Sequence, residues 1–120
     1  KYDDVLDDVY GFLKQRVQKA HSFGIKDIVL DVGIGFGKTL NDNLTLLKHL
    51  QHFLTLKHPL LVGASRKSMI DKISPSSVEN RLAGTLTLHT EAIKNGASIL
   101  RVHDVAEHIQ AIKTLEALKL

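Results

Sequence analysis

The sequence contains no cysteine and no tryptophan, and only two of its 120 residues are proline. The lack of cysteine excludes disulfides and cysteine-ligated metal sites, which fits the reducing cytoplasm in which we expect the chain to lie. All apolar runs are far shorter than the roughly 18 residues of a membrane-spanning helix. The first ten residues are acidic and do not resemble a secretion signal, so we expect no membrane partner.

Charge of one sign is not concentrated anywhere in the chain. Sixteen basic and 13 acidic residues are spread along it and leave a formal net charge of +3. Because nucleic-acid binding needs a clustered basic patch, we expect no nucleic-acid partner, although the small excess favours an anionic small molecule. The content of 43% hydrophobic and 24% charged residues is that of an ordinary globular domain.

Apolar residues at helical spacing predict four helices. They cover residues 4–23, 41–57, 78–95 and 104–118. Gly24 and Gly96 follow two of these segments, where glycine is the preferred residue for ending a helix. The second predicted helix begins among three residues that are able to cap it, Asn41, Asp42 and Asn43.

Short apolar runs lie between these helices and predict three strands, at residues 27–31, 60–64 and 97–102. Runs of this kind are typical of parallel strands that are buried on both faces. The order of one helix followed by three strand-helix units predicts an α/β fold built of right-handed βαβ units. Because a barrel of such units needs about 250 residues, we expect this chain to be a fragment.

Polar residues follow each predicted strand. Asp31 closes the first, the Ser-Arg-Lys run at 65–67 follows the second, and Arg101 and His103 end the third. Ligands of parallel α/β proteins bind at the carboxyl ends of the strands, so we expect these groups to converge on one rim. Arg101 and His103 alternate along an extended chain and so share a face, where they would suit phosphate or pyrophosphate. Taken alone, His103 is also consistent with a half-exposed, hydrogen-bonded histidine, an explanation that fits the pair less well.

The glycine-rich segment 31–39 does not match a nucleotide-binding motif. A P-loop requires glycine where Val32 stands, and a dinucleotide fingerprint requires glycine where Lys38 stands. Three glycines in five residues still allow a close approach of the backbone to a ligand, or else form only a flexible loop. Asp31 would suit a planar ligand edge with two N–H donors, or else cap the loop locally. The cations at 65–67 form either an anion site or a solvated turn.

Three motifs taken together resemble the dihydropteroate synthase family. They are DVGIGFGKTxxxN at 31–43, LLVGASRKSMI at 60–70 and LRVHDV at 100–105, in the order and near the separations of the family's C-terminal signatures. The resemblance covers essentially the whole chain. It implies the C-terminal portion of a TIM (β/α)8 barrel, with helix 5 followed by βα units 6 to 8. Residues 1–120 would then be the C-terminal part of a pterin-binding domain with an incomplete barrel.

The resemblance also implies a transferase activity in folate biosynthesis. The family condenses 6-hydroxymethyl-7,8-dihydropterin diphosphate with p-aminobenzoate and releases pyrophosphate, and sulfonamides target it as mimics of p-aminobenzoate. The implied residue roles are pterin binding by Asp31 and Lys67, p-aminobenzoate binding by Gly35, Phe36, Ser65 and Arg66, and pyrophosphate binding by Arg101 and His103. No residue is assigned as catalytic, and Mg2+ would be held by the missing N-terminal half. The family usually has proline at position 32, so Val32 predicts a weaker presetting of Asp31.

A half barrel leaves open sheet edges, so we expect this chain alone to be inactive and to self-associate. The family resemblance implies a homodimer formed through the last helices. Two alternatives are a pterin-binding domain of a folate-dependent methyltransferase and a non-catalytic assembly module. The remaining histidines, including the closely spaced His49 and His52, are interpreted as surface or structural residues without a metal-binding pattern.

Overall fold

The computed structural model describes residues 3–119, which form a parallel β-sheet connected by α-helices. The strands are β1 (Leu30–Asp31), β2 (Leu60–Val62) and β3 (Ala97–Leu100). The α-helices are α1 (Val5–Ser22), α2 (Leu40–Lys48), α3 (Ser68–Ile73), α4 (Leu82–Lys94) and α5 (Val105–Leu118), and 3₁₀ helices cover Leu50–Leu56 and Val78–Asn80. The prediction of an α/β fold with parallel strands is confirmed.

The strands lie in the order β1-β2-β3, so β2 is central and the carboxyl ends of all three strands meet at one edge. Leu30 aligns with Leu60, and Val62 aligns with Leu100. β1 is shorter than the predicted segment 27–31 because Pro59, the residue before β2, has no N–H to continue the ladder. Only the carbonyl of Pro59 takes part, accepting the Leu30 N–H at 2.9 Å.

The second predicted helix is divided in two. Its α-helical part is capped by Thr39, which forms a capping box with Asp42, and not by a residue of the run 41–43 acting alone. Two N–H groups are satisfied at once by this arrangement. The chain then tightens into a 3₁₀ helix, in which residues three apart share a face, and this buries both Leu50 and Phe53.

The segment after β2 contains a helix that periodicity did not predict. α3 has only six residues, too few to show a helical repeat, and it begins directly after Lys67. The predicted helix 78–95 is likewise interrupted at Arg81, so that α4 begins at Leu82. Arg81 donates from its side chain to the Ser76 carbonyl at 2.8 Å, which holds this turn in place.

The core is formed by apolar side chains of the helices and of the strands. α1 contributes one residue per turn to it, namely Val5, Val9, Leu13 and Val17. Apolar residues at the two outer strands remain half exposed, with Val29 at 50% and Ile99 at 38%. Each of these two strands also has one edge that pairs with no other strand within residues 3–119. Within residues 3–119, no helix is long and apolar enough to cross a bilayer.

Candidate functional site

The carboxyl ends of β2 and β3 enclose a small polar cavity of about 170 Å³. Its walls are formed by Gly63, Ser65, Lys67, Arg101, Val102 and His103. Four of these six residues are among those that the sequence predicts to bind ligands. The structure therefore brings Ser65 and Lys67 of the Ser-Arg-Lys run together with the Arg-His pair at one rim, as expected for parallel strands.

Ser65 and His103 connect the two loops directly. The Ser65 hydroxyl lies 2.6 Å from His103 Nδ1, and it also accepts the His103 backbone N–H at 3.3 Å. Ser65 is buried whereas His103 is exposed, so the buried hydroxyl fixes an exposed ring. In either tautomer this contact leaves Nε2 of His103 for a ligand.

Arg101 lies against the backbone at Gly63, the residue directly after β2. A methyl group added at Gly63 would lie 3.2 Å from Nε and 3.3 Å from Nη2 of Arg101, which is tighter than ordinary van der Waals contact. Glycine at this position therefore leaves room for the guanidinium. The Arg101 backbone N–H donates to Val62 at 3.1 Å, which continues the β2–β3 pairing up to the cavity.

Lys67 joins this cavity to the glycine-rich segment. Its ammonium donates to the Ile34 carbonyl and lies 4.8 Å from the centre of the Phe36 ring. Partial burial lowers the pKa of Lys67, the nearby Asp31 carboxylate opposes this, and the positive charges of Arg101 and Lys38 add to the lowering. The cations thus repel one another around the cavity, which favours an anion among them.

The glycine-rich segment is held in shape by side chains. Asp31 Oδ1 accepts the Gly33 N–H at 2.8 Å, so the carboxylate caps its own loop, as one of the two interpretations of the sequence proposed. The buried Asn43 accepts the Gly35 N–H at 2.9 Å, and Lys38 donates to Gly33 at 2.7 Å. A merely flexible loop would not carry this set of hydrogen bonds.

Asp31 lies outside the small polar cavity. It lines a second cavity of about 370 Å³ together with Val32, Gly33 and Lys38 on one side and residues of α1, among them Phe12 and Leu13, on the other. Val32 itself is buried in the core. Although position 32 lacks the proline that is usual in the family, the hydrogen bond from the Gly33 N–H orients the Asp31 carboxylate. That Val32 weakens the presetting of Asp31 for a ligand stays a prediction.

Arg66, which the resemblance places in the p-aminobenzoate set, does not line the polar cavity. Its side chain pairs with Asp104 at 3.2 Å, and its backbone has a φ of 58°, in the left-handed region. Two partly buried contacts hold this strained residue: its N–H donates to Thr85 Oγ1 at 3.0 Å, and its carbonyl accepts from Arg81 at 2.8 Å. Strain that is held in this way is typical of functional loops.

Sequence reasoning missed these supporting residues. Thr85 lies fully buried within α4, and a hydroxyl on the buried face of a helix must find a partner, which is a signal that periodicity alone does not use. The sequence offers Asn43 as a possible helix cap and as the last residue of the motif at 31–43, and the structure shows that it supports Gly35. Within residues 3–119, no three His, Cys, Asp or Glu side chains are grouped so as to hold a metal ion.

Comparison with known proteins places this geometry in a family. The model of the pterin binding enzyme family matches residues 1–103. The bifunctional dihydropteroate synthase/dihydropteroate reductase of Helicobacter pylori is 49% identical over 118 residues, which are 98% of this chain and 31% of that protein. The chain spans only about a third of this relative.

Two solved structures resemble the chain over nearly all of its length. Dihydropteroate synthase from Xanthomonas albilineans, in complex with 7,8-dihydropteroate, has a TM-score of 0.96 and 39% identity, covering 99% of this chain and 47% of that one. The enzyme from Thermus thermophilus, in complex with 4-aminobenzoate, has a TM-score of 0.95 and 42% identity, with coverages of 98% and 46%. The predicted fold, a part of a (β/α)8 barrel, is thereby confirmed, and the chain belongs to the pterin binding enzyme family as a part of the dihydropteroate synthase barrel.

Proposed function

We propose that this chain forms the pyrophosphate-binding side of a dihydropteroate synthase, which joins a dihydropterin diphosphate to p-aminobenzoate. The observation that carries the proposal is the polar cavity in which Arg101 and His103 of one loop meet Lys67 and Ser65 of another. It is supported by the similarity to enzymes that were solved with 7,8-dihydropteroate and with 4-aminobenzoate. No observation favours a methyltransferase, which has no diphosphate to release.

The cations of the cavity would stabilise the leaving group. In the reaction, the bond between the pterin methylene carbon and the diphosphate oxygen breaks, and the bonding electrons leave with pyrophosphate. The guanidinium of Arg101 can donate two parallel hydrogen bonds to it, and His103 can donate a further one from Nε2. These donors face the place where negative charge increases in the transition state, which is where electrostatic stabilisation is largest.

The remaining predicted residues would position the two substrates. Asp31 and Lys67 would hold the pterin ring, and the carboxylate would also offset positive charge that develops on the methylene carbon. The amine of p-aminobenzoate would form the new C–N bond and release a proton to solvent. Gly35, Phe36 and Ser65 would surround p-aminobenzoate, and Arg66, whose side chain pairs with Asp104, would act through the shape of its loop.

Several parts of the proposed enzyme lie beyond this chain. Mg2+ would assist the departure of pyrophosphate, and the family resemblance implies that its protein ligand lies in the part of the enzyme beyond this chain. We further propose a homodimer through the last helices, a cytoplasmic location and sensitivity to sulfonamides. Because the chain spans 47% of the enzyme from Xanthomonas albilineans, activity requires the missing strands.

The proposal can be tested in a chimera in which this chain replaces the matching part of the Xanthomonas albilineans enzyme. We expect the chimera to release pyrophosphate only when both substrates are present. Arg101→Ala with His103→Ala should lower kcat/KM by on the order of 100-fold or more, since two transition-state donors are lost. The control, Arg16→Ala with His21→Ala, removes the same residue types from the exposed side of α1 and should leave kcat/KM unchanged.

Titration calorimetry with pyrophosphate gives a second measurement on the same proteins. The chimera should bind pyrophosphate, and the Arg101→Ala, His103→Ala variant should not. A chimera that folds, as judged by circular dichroism, but neither binds pyrophosphate nor forms dihydropteroate would show that the proposed function is wrong. An unchanged kcat/KM in the double variant would remove Arg101 and His103 from the mechanism.

A further inference from the structure

Two histidines are buried beside the polar cavity, although neither lines it. His89 of α4 is 0% exposed and His108 of α5 is 4% exposed. His89 Nδ1 lies 2.8 Å from His108 Nε2, which joins the two helices. At the outer ends, the Ala64 backbone N–H donates to His89 Nε2 at 2.9 Å, and His108 Nδ1 lies 2.6 Å from the Asp104 carbonyl oxygen.

These contacts permit only one arrangement of protons. A backbone N–H is always a donor, so His89 Nε2 must be unprotonated, and the neutral ring carries its proton on Nδ1. Nδ1 of His89 then donates to His108 Nε2, which leaves the proton of His108 on its own Nδ1. That proton is donated to the Asp104 carbonyl, an obligatory acceptor. Both imidazoles are therefore neutral, and each acts once as donor and once as acceptor.

These hydrogen bonds form a relay that runs from Ala64 through His89 and His108 to Asp104. The two ends of this relay lie next to site residues. Ala64 immediately precedes Ser65, and Asp104 immediately follows His103. Since Ser65 and His103 are themselves hydrogen-bonded at 2.6 Å, the relay completes a closed circuit of contacts behind the cavity. The Asp104 carboxylate adds a further link, because it pairs with Arg66 in the loop after β2.

We infer that His89 and His108 are positioning residues, whose neutral relay sets the spacing of the two loops and thereby the geometry of the pyrophosphate site. The inference rests on the proposed function for the identity of the ligand, but not for the relay itself. Neither histidine is among the residues that line the cavity. Their effect is transmitted through Ser65 and His103, whose contact changes if the loops separate.

The charges around the relay favour its neutral state. Burial, the neighbouring His108 and the positive charge of Lys67 all act to lower the pKa of His89, to about 4. The other charged groups at the ends of the relay, Arg66 and Asp104, are paired with each other. A proton added to His89 would occupy Nε2 and face the Ala64 N–H, so one donor would lose its acceptor.

The test uses the full chain within the chimera and measures pyrophosphate affinity by calorimetry. His89→Phe keeps a ring of similar size but removes both hydrogen bonds, and we expect the Kd for pyrophosphate to rise about tenfold. The double variant His89→Phe, His108→Phe should raise the Kd no further, because the loss of His89 alone already breaks the series of hydrogen bonds between the two loops. His89→Gln retains a donor and an acceptor and should restore part of the affinity. The control His49→Phe alters an exposed histidine and should change nothing.

A purely structural role would lower the melting temperature without changing the Kd of the folded protein, so both quantities are measured for each variant. An unchanged Kd in His89→Phe, in a chimera that binds pyrophosphate, would overturn the positioning role alone. Long-range ¹H–¹⁵N spectra of the histidine rings test the relay without any ligand. Both rings should carry the proton on Nδ1 from pH 6 to 8, and a proton on Nε2 of either ring would overturn the relay.

These two measurements distinguish failure of the inference from failure of the proposed function. A chimera with the expected ring spectra that binds no pyrophosphate and forms no product would overturn the proposed function, and with it the identity of the positioned ligand. A chimera that binds pyrophosphate while its rings show another tautomer would overturn only the relay.

Discussion

The two sides of the site differ in how much of their structure lies within the chain. On the side of β2 and β3, each loop is fixed by buried or partly buried polar contacts: Thr85 holds Arg66, and two histidines join Ala64 to Asp104. On the side of β1, Asp31 lines a cavity whose other wall includes Phe12, and that side chain is 55% exposed. The loops on the β2–β3 side are thus held by contacts within the chain, whereas the cavity on the β1 side keeps a partly exposed wall.

This difference predicts where substitutions act. Changes behind the β2–β3 loops should reduce stability and anion affinity, because they leave buried polar groups without partners. Changes on the β1 side should matter mainly for assembly with the missing strands. Four experiments test this contrast, in order of decreasing expected effect. They are denaturation in acid and substitution of a buried threonine, of a glycine and of an exposed phenylalanine.

The largest expected effect is a loss of stability in acid. The folded pKa of His89 is about 4 and its usual value is 6.5, so between these values the unfolded chain binds more protons. The stabilisation is therefore complete above pH 6.5 and is lost as the pH falls toward 4, by roughly 3 kcal/mol at 1.36 kcal/mol per pKa unit. Urea denaturation of the chimera at pH 7 and pH 4.5 should show this loss, and His89→Phe should lack most of it.

The same comparison has a built-in control, since carboxylates titrate in both proteins and cancel in the difference between them. If the chimera and His89→Phe lose equal free energy of unfolding between pH 7 and pH 4.5, the assignment of a buried neutral His89 is wrong. His49→Phe is the control for this comparison. Because His49 is exposed, this variant should lose as much free energy of unfolding between pH 7 and pH 4.5 as the chimera does.

The second effect concerns the strained backbone of Arg66. Thr85→Val keeps the volume of the side chain but removes the acceptor of the Arg66 N–H, and we expect a loss of about 2 kcal/mol in the free energy of unfolding. Thr87→Val is the matched control, because Thr87 lies exposed on the same helix and should change stability by less than about 0.5 kcal/mol. Denaturation midpoints measured side by side decide between the two, and equal shifts would refute a special role for Thr85.

The fold could be predicted from sequence to the extent that it depends on apolar patterns. Runs such as 60–64 are apolar because their strands are buried on both faces, and helices such as α1 have one buried residue per turn. The same patterns do not show where a helix tightens, as at Leu50, or where a six-residue helix such as α3 begins. Both are decided by contacts between distant segments, which override local preference.

The site could be predicted in part for a similar reason. Strand ends converge in any parallel sheet, so the positions of Ser65 and Arg101 follow from their place after apolar runs. His89 and His108 are 19 residues apart in sequence, and they meet only because α4 packs against α5. A histidine on an apolar helix face shows that a partner is needed but does not show which one.

The third effect compares two glycines of the loop after β1. Gly35 and Gly37 both have positive φ, of 91° and 61°, so alanine should cost about 1 kcal/mol at either position. Only at Gly35 would the added methyl group meet Lys67, at 3.1 Å from its Cδ. Gly35→Ala should therefore also weaken substrate binding, by several-fold in KM for the pterin diphosphate, whereas Gly37→Ala should not. Equal KM values in the two variants would show that Lys67 adjusts freely.

The smallest effect on stability is expected at Phe12, on the exposed side of α1. Phe12→Ala removes a ring that is 55% exposed, so it should change the unfolding free energy little, whereas Leu13→Ala, at the buried neighbouring position, should cost roughly 2–5 kcal/mol. The 120-residue chain alone should associate less after Phe12→Ala, because its exposed apolar surface becomes smaller. Light scattering over a concentration series measures this association. If Phe12→Ala leaves it unchanged, the associating surface lies elsewhere. The half-exposed Val29 and Ile99 at the outer strands are then the next positions to substitute.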